Sequence, residues 1–121
     1  MSFKKLGLSD ELLNAIQAKG YSQTTPVQEK AIPYIMQGLD ILAGAQTGTG
    51  KTAAFALPIL SRLQQSESKR RRIRALVLTP TRELASQVGD SFRDYGRNLR
   101  FKTAVIYGGV SIKTQKDKLR N

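Results

Sequence analysis

Residues 40–52, DILAGAQTGTGKT, restrict the fold more than any other part of this 121-residue chain. They read as a short apolar strand over 40–43, a glycine-rich turn, and the start of a helix. Glycine accepts positive φ and lets backbone approach a ligand with no Cβ in the way. Successive backbone N–H groups can then turn inward and cradle phosphate oxygens, and the helix that follows adds its unpaired donors and the positive end of its dipole. Gly48, Gly50, Lys51 and Thr52 stand where a P-loop needs them, Lys51 to neutralise outer phosphates and Thr52 to hold Mg²⁺ through its hydroxyl. Ala45 takes the place of the first glycine in the general pattern. A turn that merely joined strand to helix would have no use for Lys and Thr at these two positions.

Composition narrows the chemistry further. The chain contains no Cys and no His, which removes disulfides, thiolate or imidazole metal sites and a His general base together. Any metal must be oxygen-bound, as Mg²⁺ is. The formal net charge of +11, from 20 Lys and Arg against 9 Asp and Glu, points to a polyanionic partner. Part of that excess lies in 69–74, KRRRIR, which reads as a solvated loop. No apolar run approaches the roughly 20 residues that span a bilayer. The start, MSFKKLGLSDELL, reaches Asp10 and Glu11 too soon for a signal peptide. A cytoplasmic protein without a membrane partner is the expectation.

Helix and strand signals alternate along the chain. Residues 3–6 form a lead-in with an apolar anchor. Ser9 caps a helix with Asp10 and Glu11 in its first turn and Gly20 as its stop. Thr25, Pro26 and Gln28 have the spacing of a capping box on the next helix, which is expected to run to about Ile32, where Pro33 opens a second short piece ending near Gly38. The helix from Lys51, apolar almost all round, is expected to be buried and kinked at Pro58. Residues 75–78 read as a strand covered on both faces. Thr81 caps a long helix reaching about Arg97, a third strand covers 103–106, and a polar helical pattern runs from Ser111 to Leu119. The fold class expected is α/β, a parallel sheet flanked by helices, with 1–38 as a helical region and 39–121 as the first portion of a P-loop domain. Sites in such sheets lie at the carboxyl ends of the strands. There stand the phosphate loop, TPTRELA (79–85) and Tyr107–Gly108–Gly109.

These residues resemble a known family. GYSQTTPVQ (20–28), AQTGTGKT (45–52), PTRELA (80–85) and Gly108–Gly109 are similar, in order and spacing, to the Q motif, motif I, motif Ia and GG motif of DEAD-box ATP-dependent RNA helicases. The wording is similar to the RhlE-like bacterial branch. The resemblance implies a RecA-like P-loop domain that binds ATP and Mg²⁺. It implies that Phe3, seventeen positions before Gly20, stacks on adenine, and that the Gln28 amide reads it. Ala45, Gln46, Thr47, Gly48, Thr49, Gly50, Lys51 and Thr52 would hold phosphates and metal, Lys51 and Thr52 serving the chemistry. Pro80, Thr81, Arg82, Gly108 and Gly109 would touch RNA backbone without reading its sequence. By spacing alone, Gln28 is better explained as a helix cap, and the resemblance reverses that judgement.

Two departures qualify the resemblance. Thr24 stands where the family usually has Pro, which would loosen the loop before the helix. The family's acidic box, Ser-Ala-Thr motif and second RecA-like domain have no counterpart among these residues. The chain is therefore expected to hold part of a nucleotide site without turning over ATP, and to self-associate through strand edges left unpaired. A P-loop kinase or GTPase is a different enzyme class to weigh, although no Asn-Lys-x-Asp guanine signature occurs in the sequence. A non-catalytic basic RNA-binding module with a vestigial P-loop is the other alternative.

Overall fold

The computed structural model describes residues 2–45, 50–66, 72–108 and 112–120. A short 3-10 turn at Phe3–Leu6 leads into five helices: α1 (Asp10–Ala18), α2 (Pro26–Met36), α3 (Lys51–Gln65), α4 (Arg82–Tyr95) and α5 (Ile112–Arg120). Their ends follow the local signals. Ser9 and Thr81 cap α1 and α4 by accepting from the backbone N–H of Leu12 and Leu84. After α1, Gly20 takes φ +85°. Its N–H bonds Gln17 O at 2.9 Å, and the Tyr21 N–H bonds Ile16 O at 3.2 Å, the two bonds of a Schellman stop. Gly38 ends α2 in the same way, with bonds to Ile35 O and from the Leu39 N–H to Tyr34 O.

α2 runs unbroken through Pro33 to Met36, where a break at Ile32 is expected from the sequence. α3 likewise continues through Pro58, which is fully buried. A proline removes one hydrogen bond, and burial of the surrounding apolar side chains holds both helices together. α3 is the central element, with Ala53, Ala56, Leu57 and Leu60 buried in a cluster that takes in Leu12 and Ile16 of α1, Ile32 of α2 and Tyr95 of α4.

Two pairs of contacts fix the direction of the helices. Gln28 of α2 meets Gly50 at the start of α3, and Arg62 near the end of α3 donates to Ile35 O near the end of α2. Phe55 of α3 lies 6.2 Å from Phe92 of α4, and Leu60 packs by Gly96 at the end of α4. α2, α3 and α4 therefore share one heading, and each connection must carry the chain back the length of a helix, as in a parallel α/β layer.

Among the described residues no strand ladder forms; the single bridge joins Ser2 to Gln23. Segment 101–108 still alternates with period two: Phe101, Thr103, Val105 and Tyr107 are partly covered, while Lys102, Ala104 and Ile106 are exposed. One face of this segment rests on α4, where Val105 meets Gly89. Segment 72–79, expected to be covered on both faces, instead leaves Leu76 79% and Leu78 85% exposed. Among the described residues no ladder flanks this segment, and these apolar side chains stay in solvent. Arg74 ties this segment to the end of α3, bonding Leu63 O at 3.0 Å and the Ser66 backbone.

Candidate nucleotide and nucleic-acid site

The site is built on the start of α3. Gly50, its N-cap, has φ +85°, a left-handed conformation that costs any residue with a Cβ. A Cβ there would also push Gln28 Nε2 aside, so the backbone favours glycine and any other residue would move the amide. The Gly50 carbonyl accepts the first helical bond, from the Ala54 N–H at 3.1 Å, and a second from Gln28 Nε2 at 3.2 Å. Beyond it, the first-turn N–H groups, including those of Lys51 and Thr52, have no acceptor within the helix. The Lys51 side chain is exposed and Thr52 half-buried.

Gln28 is 5% exposed, and its amide works in two directions. Oε1 accepts from the Thr25 N–H at 3.0 Å, which is the Gln28 half of the α2 capping box. Nε2 reaches across to Gly50. The cap explanation is thus correct but covers only half of the amide. The Thr25 hydroxyl, beside Gly50, is buried and makes no close hydrogen bond among the described residues. Each Gln28 polar atom keeps one further bonding position, since a primary amide has two hydrogens and two acceptor lone pairs.

Phe3 departs from expectation. Its ring is 5% exposed and belongs to the apolar cluster with Leu6, Leu8, Leu12 and Ile16. An adenine needs an open ring face, and here the apolar side chains around Phe3 cover it. Ser2, next in the chain, pairs with Gln23, so this segment seats the loop that precedes α2.

The second cluster gathers around α4. Pro80, Thr81 and Arg82 are exposed at its start. The Thr81 hydroxyl accepts from the Leu84 N–H at 3.1 Å and is left free to donate outward. The Arg82 guanidinium lies over the Tyr107 ring, 5.7 Å from its centre, and the two help line a shallow cleft of about 250 Å³ with Glu83 and Ser86. The Tyr107 N–H donates to Gln115 Oε1 of α5 at 2.8 Å. Of the site residues expected here, the structure brings Arg82 against Tyr107, the neighbour of Gly108. Nothing in the local spacing marks the Arg82–Tyr107 contact, because it joins residues twenty-five apart. Gln46, Thr47, Gly48, Thr49 and Gly109 lie outside the described residues.

A left-handed glycine opening a Lys-Thr helix, locked by a buried amide from the preceding helix, defines an α/β protein of the P-loop class. Comparison with known proteins narrows this. The DEAD/DEAH box helicase profile matches residues 25–121, and the chain belongs to that family. It is 50% identical over 114 residues to the DEAD-box ATP-dependent RNA helicase RhpA of Helicobacter pylori (strain B128), covering 94% of this chain and 22% of RhpA. It is 43% identical over 120 residues to the ATP-dependent RNA helicase CshA of Limosilactobacillus reuteri, covering 99% of this chain and 24% of CshA. The chain thus spans under a quarter of the length of these relatives. Among solved structures, a DEAD box protein from the hyperthermophile Methanococcus jannaschii matches with a TM-score of 0.89 at 43% identity, over 98% of this chain and 32% of that one. The RNA helicase Prp28 from Chaetomium thermophilum bound to ADP matches with a TM-score of 0.88 at 39% identity, over 99% and 30%. These matches make the fold that of a RecA-like P-loop domain.

Proposed function

We propose that this chain is the nucleotide-binding front of an ATP-dependent RNA helicase, binding Mg-ATP at the start of α3 and RNA backbone with residues of the start of α4 and of 108–109. The observation that carries it is the Gln28 amide bonded to the Gly50 carbonyl at 3.2 Å beside Lys51. That contact joins a base-recognition loop to a phosphate-binding helix start. The ADP of the Prp28 structure and the names of the curated relatives support the same reading.

Residues 1–38 supply base recognition, and residues 39–121 supply phosphate and RNA contacts. Gln28 offers adenine its remaining donor and acceptor positions, the pairing an amide makes with N6 and N7. Residues 45–52 are assigned the phosphates, with the unpaired N–H groups of the first turn of α3 as donors. Lys51 neutralises the outer phosphates, and Thr52 would hold Mg²⁺ by its hydroxyl. Mg²⁺, when bound, supplies positive charge that stabilises phosphoryl transfer. Phe3 is assigned to the core and to seating the loop rather than to adenine. Pro80, Thr81, Arg82, Gly108 and Gly109 grip phosphates and ribose without reading bases. The RhlE-like branch and a cytoplasmic location are proposed from the sequence wording and the lack of an apolar span.

Calorimetric titration of Mg-ATP and anisotropy with single-stranded RNA test this on the 121-residue chain. Lys51→Ala is expected to weaken nucleotide binding roughly tenfold or more, as loss of a charge-assisted phosphate contact does, and to leave RNA binding largely intact. No sustained phosphate release is expected from this stretch. Nucleotide uptake indifferent to Lys51→Ala would overturn the assignment.

A further inference from the structure

Thr24 stands one residue before the α2 N-cap, and Glu29 is the fourth residue of the helix. The Thr24 hydroxyl donates to Glu29 Oε1 at 2.7 Å, a length usual for a hydroxyl on a carboxylate. This bond is also the leading cause that holds the Glu29 carboxyl below its ordinary range. The same two positions in other helices often carry an apolar pair that fixes the angle of chain entry. Here a hydrogen bond takes that place, at a position where a proline would have no donor to offer.

Inside this outer contact lies the inner one, from the Thr25 N–H to Gln28 Oε1. The two are nested, 24–29 around 25–28. The Gln28 amide is planar, so a shift of Thr25 that carries Oε1 with it also moves Nε2 off the Gly50 carbonyl. The entry angle of α2 is therefore coupled to the start of α3 by three hydrogen bonds in series.

We infer that Thr24, acting through Glu29, is a positioning residue for the nucleoside-triphosphate site: it holds the Gln28 amide against Gly50 and so sets nucleotide affinity. The inference rests on the nucleotide reading above. Both are tested on the full chain by Mg-ATP calorimetry and by nitrogen-15 NMR exchange of the Gln28 side-chain amide protons, in wild type, Thr24→Val, Thr24→Ser and Gln28→Ala. Thr24→Val keeps the shape but not the donor. It is expected to bind Mg-ATP roughly three- to tenfold more weakly and to exchange the Gln28 amide faster. Thr24→Ser restores the hydroxyl and returns both quantities to wild type. With wild-type uptake intact, a Thr24→Val chain that matches wild type in either quantity overturns the positioning role alone. No uptake by wild type, or uptake unaffected by Gln28→Ala, overturns the nucleotide reading and the affinity effect with it.

Discussion

At Gly50, two independent constraints meet on one residue. Its left-handed backbone would cost alanine about 1–2 kcal/mol, and an added Cβ would displace the Gln28 amide. Gly50→Ala is expected to lower stability by at least that amount in urea unfolding and to abolish measurable Mg-ATP uptake. Tyr95 offers a prediction of different sign. Burial, with smaller effects from Tyr21 and Asp94, pushes its hydroxyl up to about 12. The folded state thus favours the neutral phenol, and the stability this brings is full below the unfolded value near 10. That stability is lost as pH rises from about 10 towards 12. Tyr95→Phe should flatten the melting temperature over that window. Some of these residues were legible in advance and some were not. Gly50, Lys51 and the Thr25–Gln28 cap follow from short-range spacing. The engagement of Gln28 with Gly50 and of Arg82 with Tyr107 joins residues twenty-two and twenty-five apart, and no local pattern carries that information. Phe3, expected at adenine from the resemblance, is buried in the core here, and an isolated aromatic looks the same in sequence whether it faces a ligand or a core.

At the scale of elements, the helices and their caps follow local chemistry closely, while the strands do not form ladders among the described residues. Helical bonds close within four residues. Strand bonds need a neighbour from elsewhere in the chain, so an apolar run fixes neither a partner nor a register. Pro33 does not break α2 as its sequence position suggests, since tertiary burial outweighs one missing bond. The packing of α4 on segment 101–107 gives a sharper test. Gly89 is helical, and alanine there would add about 1 kcal/mol of helix propensity. A Cβ at that position would run into Val105 Cγ2, the stiff end of a β-branched side chain. The clash should win: Gly89→Ala is expected to destabilise, and adding Val105→Ala should recover part of the loss. Denaturant midpoints for the two single variants and the pair, read as a double-mutant cycle, check this.

At the scale of the molecule, exposed apolar side chains coexist with a net charge of +11. Ile73, Leu76 and Leu78 stand open on segment 72–79, and unpaired backbone beside them is a template for another chain. Light scattering after gel filtration should show self-association rising with concentration. Leu78→Lys should reduce it with a change in stability within about 0.5 kcal/mol, as for other surface substitutions. RNA binding should weaken as salt is raised, and Arg82→Ala should lower the salt slope by roughly one. An unchanged slope would remove Arg82 from the RNA contacts.

The common heading of α2, α3 and α4 has an electrical result. The starts of α2 and α3 meet at Gln28 and Gly50, so two positive poles lie together on the rim that carries Lys51, and the negative poles face the other way. The molecule is polarised along its helices before any ligand arrives. A phosphate-bearing molecule diffusing nearby would be turned towards that rim and captured faster at low ionic strength, so encounter is steered by the layout of the backbone as well as by the side chains that later hold the ligand.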